Sequence, residues 1–242
     1  MKPTNATQPE EPQRERAVVC LSGGMDSCVT AALAARDYEA YGIHFSYGQR
    51  TETREFESAR AVAQILGMRD VMHLRIDIFR RIGGSALTDA KIDVPQTAAG
   101  ETLDGDPTKE IPVTYVPFRN AHFLSAAVSW AEVLGAKKVF IGAVEQDSSG
   151  YPDCRPAYYE AFNKLVETGT KEGDIRIVTP LIAMKKVEII KLGLELKAPF
   201  HVTWSCYSGD TAACGVCDSC VLRLRAFRQA GVKDPIPYEA VR

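Results

Sequence analysis

The chain is predicted to fold as a doubly wound α/β domain on a parallel sheet, with a small metal-binding region at its C-terminal end. Two observations carry that expectation. Short apolar runs alternate with amphipathic stretches of helical period from residue 17 to residue 200, the pattern of repeated strand–helix units. Beyond them Cys206, Cys214, Cys217 and Cys220 crowd into fifteen residues, a density suited to a metal. At 242 residues and 45% hydrophobic, the chain can bury a full core, and one domain with an appendage fits better than two. A net charge of −2 argues against a globally nucleic-acid-binding surface. No apolar stretch approaches the ~18–20 residues of a membrane span. Seven cysteines without an apolar leader point to reduced thiols in the cytoplasm rather than to disulfides.

The elements follow in order. Residues 1–16 are polar, with Pro3, Pro9 and Pro12, and are expected to be a disordered tail ahead of a nucleotide domain over 17–200 and a metal-binding region over 201–242. Ala17–Leu21 is the first buried strand, and an alanine-rich helix runs from Cys28 to Arg36. Ala40–Ser46 is a second strand. Thr51–Leu66 is an amphipathic helix with Phe56, Ala59, Val62, Ala63 and Leu66 on one side. Val71–Ile76 is a third strand. Thr88–Pro112 has no periodicity and carries Pro95, Gly100, Gly105, Pro107 and Pro112, so it reads as a long loop, the kind that often serves as a lid. Phe118–Leu134 (helix), Lys138–Ala143 (strand), Pro156–Gly169 (helix), Ile175–Thr179 (strand) and Met184–Leu196 (helix) complete the alternation, and a last helix spans Cys220–Gln229.

The first strand leads into Ser22-Gly23-Gly24-Met25-Asp26-Ser27. A strand, a glycine turn and a helix start in that order make an anion cradle, because backbone N–H groups converge at the positive end of the helix dipole. A Walker A loop is excluded, since no lysine lies between Ala17 and Tyr41. The G-x-G-x-x-G dinucleotide fingerprint and the G-x-S-x-G nucleophile elbow are also absent. The loop resembles the pyrophosphate loop of the N-type ATP pyrophosphatases. That resemblance implies attack of an oxygen nucleophile on the α-phosphorus of ATP, with pyrophosphate leaving. It places Leu21, Ser22, Gly23, Gly24, Met25, Asp26, Ser27, Cys28, Val29, Thr30 and Ala31 at the nucleotide, with open N–H groups continuing through Cys28 to Thr30. Asp26 and Ser27 are candidate catalytic residues, Asp26 as a hydrogen-bond acceptor or a neighbour of phosphate-bound Mg²⁺. Lys186 is the candidate phosphate clamp.

The cysteine spacing is C-x7-C-x2-C-x2-C. Four thiolates satisfy a tetrahedral Zn²⁺ site, and full occupancy by protein makes the metal structural. An iron–sulfur cluster is the competing reading. The fourth cysteine lies upstream and no Cys-Pro follows, which favours zinc.

Further segments narrow the resemblance: Phe45-Ser46-Tyr47-Gly48-Gln49-Arg50, Val116-Pro117-Phe118-Arg119-Asn120, Ser149-Gly150-Tyr151-Pro152-Asp153-Cys154-Arg155 and Thr203-Trp204-Ser205-Cys206-Tyr207. With the loop and the cysteines, they resemble the 7-cyano-7-deazaguanine synthase family of queuosine biosynthesis, from about Val18 to Arg225. The resemblance implies a zinc-containing homodimeric ligase acting on 7-carboxy-7-deazaguanine, ammonia and ATP. Arg50 and Arg119 are candidates for the substrate carboxylate, and Asn120 for the same pocket. Asp147 and Asp153 are candidates for the donor edge of the deazaguanine or for Mg²⁺. Two positions depart from the family pattern: Phe118 stands where glycine is common, and Thr51 stands where a histidine is expected. Both bear on the substrate pocket. His44, His73, His122 and His201 show no paired ligand spacing and read as structural. Two rival functions remain at this level. One is a tRNA-thiolating enzyme of the same superfamily, suggested by the basic run Arg223, Arg225, Arg228 and Lys233. The other is a zinc-stabilised nucleotide-binding module without catalysis.

Overall fold

The computed structural model describes residues 14–96, 111–145 and 150–239. Five strands form one wholly parallel sheet in the order β3-β2-β1-β4-β5. They are β1 (Arg16–Cys20), β2 (Glu39–Ser46), β3 (Asp70–Arg75), β4 (Lys138–Ile141) and β5 (Arg176–Val178). The order reverses direction between β1 and β4, which leaves a crevice at the carboxyl ends of those two strands. The sequence alternation therefore yields the doubly wound sheet it predicts.

Period-2 alternation along β1 feeds two cores. Val18 and Cys20 face α4 (Arg119–Leu134) and α5 (Pro156–Gly169), where Leu124, Ala127, Phe162 and Val166 are buried. Ala17 and Val19 face α1 (Met25–Asp37) and α2 (Glu52–Ile65), where small residues, Ala31, Ala34, Ala59 and Ala63, let the helices lie close to the sheet. A third cluster joins Val29 of α1 to Ile189 and Ile190 of α6 (Lys186–Glu195) and to Phe227 of α7 (Asp218–Gln229). The C-terminal region thus shares apolar core with the sheet domain.

Boundaries move for physical reasons. β1 begins at Arg16, whose guanidinium pairs with Glu39 and donates to the Leu134 carbonyl. α1 begins at Met25 rather than Cys28, because the glycine turn after β1 tightens directly into the first helical turn. A short helix, α3 (Ile78–Ile82), lies where the sequence showed no clear periodicity; Phe79 is its buried anchor. Of the expected loop 88–112, residues 97–110 lie outside the described residues. Gln96 forms an antiparallel bridge with Cys217, which brings the loop's described end to the cysteine cluster. Among the described residues, no helix is long and apolar enough to cross a membrane.

Candidate active site and metal centre

A cavity of about 280 Å³ opens at the carboxyl ends of β1, β2 and β4, where the strand order reverses. Its floor is the loop after β1. Gly23 has φ +88°, and a side chain there would collide with the Glu55 carbonyl and lie 3.0 Å from the Ala59 nitrogen of α2. Only glycine lets the loop pass beneath α2 in that conformation. Ser22 Oγ donates to Ser27 Oγ at 3.0 Å, and Ser27 Oγ lies 2.9 Å from the Gly24 carbonyl. α1 has no side-chain hydrogen bond at its cap, which leaves first-turn N–H groups for an anion. The open groups stop at Ser27, because the Cys28 N–H already donates to the Gly24 carbonyl at 3.0 Å. Leu21, Ser22, Gly24, Met25, Asp26 and Ser27 line the cavity, whereas Cys28, Val29, Thr30 and Ala31 support the loop from behind with buried side chains.

Lys186 stands in the first turn of α6, where a cation opposes the helix dipole. Glu188 fixes that turn by accepting the Lys185 N–H at 2.7 Å. Lys186 Nζ meets Asp26 Oδ2 at 2.6 Å, so residues 160 apart in sequence join at the phosphate loop. Asp26 Oδ1 is buried without a hydrogen-bond partner. That orphan acceptor, beside a lysine and an open helix start, fits a magnesium–triphosphate group. Gly142, just past β4, completes the approach: a Cβ there would sit 2.9 Å from the Asp26 carbonyl carbon and the Ser27 nitrogen. Sequence reading kept Gly142 inside the strand Lys138–Ala143 and gave it no role; the structure ends β4 at Ile141 and sets Gly142 against the loop after β1.

The opposite wall carries the predicted substrate residues. Arg119 lies over the rings of Tyr47 and Phe123 at 5.4 and 5.6 Å and donates to the Tyr47 hydroxyl at 3.0 Å. Its Nε is buried without a partner, leaving a side-on guanidinium edge for a carboxylate. Asn120 also lines the cavity. Asp153 does not; its Oδ2 accepts the Asn120 N–H at 3.1 Å, and its carbonyl accepts the Asn120 side chain at 3.0 Å. It therefore braces Asn120 from behind. Arg50 lines the cavity, but its Nε and Nη2 donate to the carbonyls of Ala86 and Ile92 at 2.8 and 2.6 Å, holding the segment after α3. Asp147 lies outside the described residues.

One carboxylate escaped sequence reading. Glu55, on α2, lines the cavity with Thr51 Oγ1 donating to one oxygen at 2.8 Å and Gln49 Nε2 to the other at 3.2 Å. Burial pushes its carboxyl up to about 7, against those two bonds and the nearby Arg119 charge. Thr51 is thus a support for Glu55. Phe118 adopts φ 56° and ψ 26°, a left-handed conformation that explains why glycine suits this place. Among the histidines, His44 is buried with Nδ1 2.9 Å from the Leu21 carbonyl, and burial lowers its pKa to about 4. It is a structural group behind the loop.

The four cysteine sulfurs lie within 4.8 Å of one another. Backbone N–H groups of Ser208, Gly209 and Cys214 approach Cys206 Sγ at 3.4, 3.2 and 3.3 Å, and that of Cys217 approaches Cys214 Sγ at 3.4 Å. Donors aimed at sulfur stabilise thiolates, so the set fits a structural Zn²⁺. Next to it, Arg223 and Asp234 form a bidentate pair at 2.7 and 2.9 Å with side chains 1% and 2% exposed. Arg223 also donates to Thr203 Oγ1 at 2.8 Å. This corrects the reading of Arg223 as part of a basic surface run: buried and neutralised, it cannot face a phosphate backbone. The backbone N–H of Trp204 donates to the Gly23 carbonyl at 2.8 Å, tying the cysteine region to the phosphate loop.

A doubly wound parallel sheet with a serine–glycine loop at its switch point, a lysine from a later helix paired to that loop and a cysteine cluster beside it has the arrangement expected of a PP-loop α/β protein. The chain belongs to the QueC family: the family described as "Queuosine biosynthesis protein QueC" matches residues 16–231. Similar proteins include the 7-cyano-7-deazaguanine synthase of Acidobacterium capsulatum, 74% identical over 94% of this chain and 98% of that protein. Those of Koribacter versatilis (64% identical over 92% of this chain and 93% of that one) and Chlorobium chlorochromatii (55%, over 93% and 96%) bear the same name.

Proposed function

We propose that this chain is a 7-cyano-7-deazaguanine synthase, a carbon–nitrogen ligase of queuosine biosynthesis. It converts 7-carboxy-7-deazaguanine and ammonia to the 7-cyano product, consuming ATP and releasing AMP and pyrophosphate. The observation that carries this reading is one cavity with the loop after β1, tied to Lys186 through Asp26, on one side and the Arg119 guanidinium on the other.

The first-turn N–H groups, Ser22, Ser27 and Lys186 hold the β- and γ-phosphates. Arg119 orients the substrate carboxylate so that its oxygen attacks the α-phosphorus in line, and pyrophosphate leaves. Ammonia then attacks the acyl carbon and expels AMP, giving the amide. The amide oxygen takes a second adenylyl group, and its departure with loss of the amide protons leaves the nitrile. Asp26 Oδ1 is the acceptor available to a phosphate-bound Mg²⁺, which would add charge neutralisation. Cys206, Cys214, Cys217 and Cys220 would hold Zn²⁺ as a staple for residues 201–242, the region we assign as distinct from the nucleotide domain over 17–200. We further assign a cytoplasmic homodimer, on family resemblance and thiol content.

The test is direct. Purified protein with 7-carboxy-7-deazaguanine, ammonium and ATP should yield the nitrile by mass spectrometry, with two AMP and two pyrophosphate per product. ADP as the nucleotide product would overturn the adenylation chemistry. The tRNA-thiolating alternative loses support with Arg223 in the core.

A further inference from the structure

Among the described residues lining the cavity, two carry carboxylates, Asp26 and Glu55. Asp26 is bound to Lys186 at the phosphate loop. Glu55 makes no ion pair within 4.0 Å among the described residues and takes no part in the steps above. We propose that Glu55 reads the paired N1–H and 2-amino donors of the deazaguanine ring and so determines substrate specificity. This deepens the functional reading above and rests on it.

The geometry of Glu55 suits that task. An ionised carboxylate offers about four acceptor sites, and Thr51 and Gln49 fill one on each oxygen. One site per oxygen is left, the pattern that two parallel N–H donors match. The supports are themselves fixed: Gln49 Oε1 accepts the Tyr47 N–H at 2.8 Å, and Gln49 Nε2 reaches the Phe45 carbonyl at 3.2 Å. The Thr51 hydroxyl also lies 3.1 Å from the Cys206 carbonyl. The carboxylate is therefore held from two sides, as a specificity group must be. Of the two aspartates read from the sequence as candidates for this edge, Asp153 is turned onto Asn120 outside the cavity wall and Asp147 lies outside the described residues.

A cation is the poorer occupant. The Arg119 guanidinium already covers the Tyr47 and Phe123 faces of the same cavity and would repel ammonium. A neutral ring with a donor edge and a carboxylate elsewhere is instead complementary to both groups, the carboxylate to Arg119 and the donors to Glu55.

The experiment uses the intact zinc-loaded protein and two ligands, 7-carboxy-7-deazaguanine and its analogue lacking the 2-amino group. Wild type should bind the analogue at least about 100-fold more weakly, because a fixed acceptor is left unpaired. Glu55→Gln should weaken the full substrate by a similar factor and cease to separate the two ligands. Its KM for ATP and its kcat at saturating substrate should stay within about threefold. Glu55→Asp should fall between the two. Equal affinity of wild type for both ligands overturns the assignment without any variant. So does a Glu55→Gln protein that keeps full discrimination, or one that loses kcat at unchanged KM, which would put Glu55 at the chemistry. If wild type neither binds nor converts the full substrate, the functional reading itself fails, a result distinct from lost discrimination in an active enzyme.

Discussion

Phe118, one of two non-glycine residues at positive φ among the described residues, shows how one side chain carries a conformational cost. Its φ of 56° belongs to the left-handed region, while the residue is 59% exposed and gains little burial in return. A β-carbon in that region costs roughly 1–2 kcal/mol, partly offset by the greater unfolded-chain freedom of glycine. Phe118→Gly should therefore raise stability by about 0.5–1 kcal/mol, seen as a melting point up by about 1–4 °C; a lower melting point would refute the strain argument. Two buried groups give the ligand-free protein opposing pH dependences. Glu55 is raised from 4.5 to about 7, so the stability it contributes is present below 4.5 and lost as pH rises through 7. His44 is lowered from 6.5 to about 4, so its contribution is present above 6.5 and lost as pH falls through 4. Glu55→Gln removes the first effect. Its stability relative to wild type should improve by about 2 kcal/mol between pH 5 and pH 8 in chemical denaturation, a figure reduced for exposure to the cavity. A difference flat across that range would show that Glu55 titrates normally.

At the scale of elements, the site depends on how closely backbone can approach backbone. Gly142 stands at the end of β4 with no room for a Cβ between it and the Asp26–Ser27 peptide. Gly142→Ala forces the first turn of α1 and the chain after β4 apart, and misplacement of this kind commonly lowers turnover about 100-fold. We expect KM for ATP to rise at least about tenfold with metal content unchanged; an unaltered KM would mean that the loop accommodates the methyl group. The loop after β1 was legible in the sequence because its parts are local: strand, glycines and helix start are consecutive. Period and composition also sufficed for the alternating strands and helices. Gly142 and Glu55 were not legible, since each matters through residues far away in sequence, Gly142 through the loop after β1 and Glu55 through the Arg119 wall. The motif around Asp153 marked it as special, and only the fold shows that its Oδ2 and carbonyl partner Asn120. The short helix α3 escaped because five residues cannot display a helical period.

Across the whole molecule, the cysteine region supplies part of the cavity wall through Trp204, Ser205, Tyr207 and Ser219. Trp204 reaches Gly23, Thr51 reaches Cys206, and Arg223 is buried between Phe200, Thr203 and Asp234. Removing one partner of such a buried pair costs about 3–5 kcal/mol, so the region should loosen as a unit. Cys217→Ser, or chelation, should reduce bound zinc well below one equivalent by elemental analysis and abolish turnover with it. Asp26→Ala should abolish turnover while keeping the metal. The reverse pattern would mean that the two sites have exchanged roles.

The contact between Trp204 and Gly23 has an optical consequence. The chain has two tryptophans, Trp130 and Trp204. The indole of Trp204 is buried, donates its N–H to the Gly209 carbonyl at 2.9 Å, and has the Arg54 guanidinium 4.7 Å from its ring. In a Trp130→Phe protein, all tryptophan emission would come from a ring seated between the phosphate loop and the cysteine knuckle. Colour and lifetime of that light would then register nucleotide arrival and metal departure in an unlabelled enzyme.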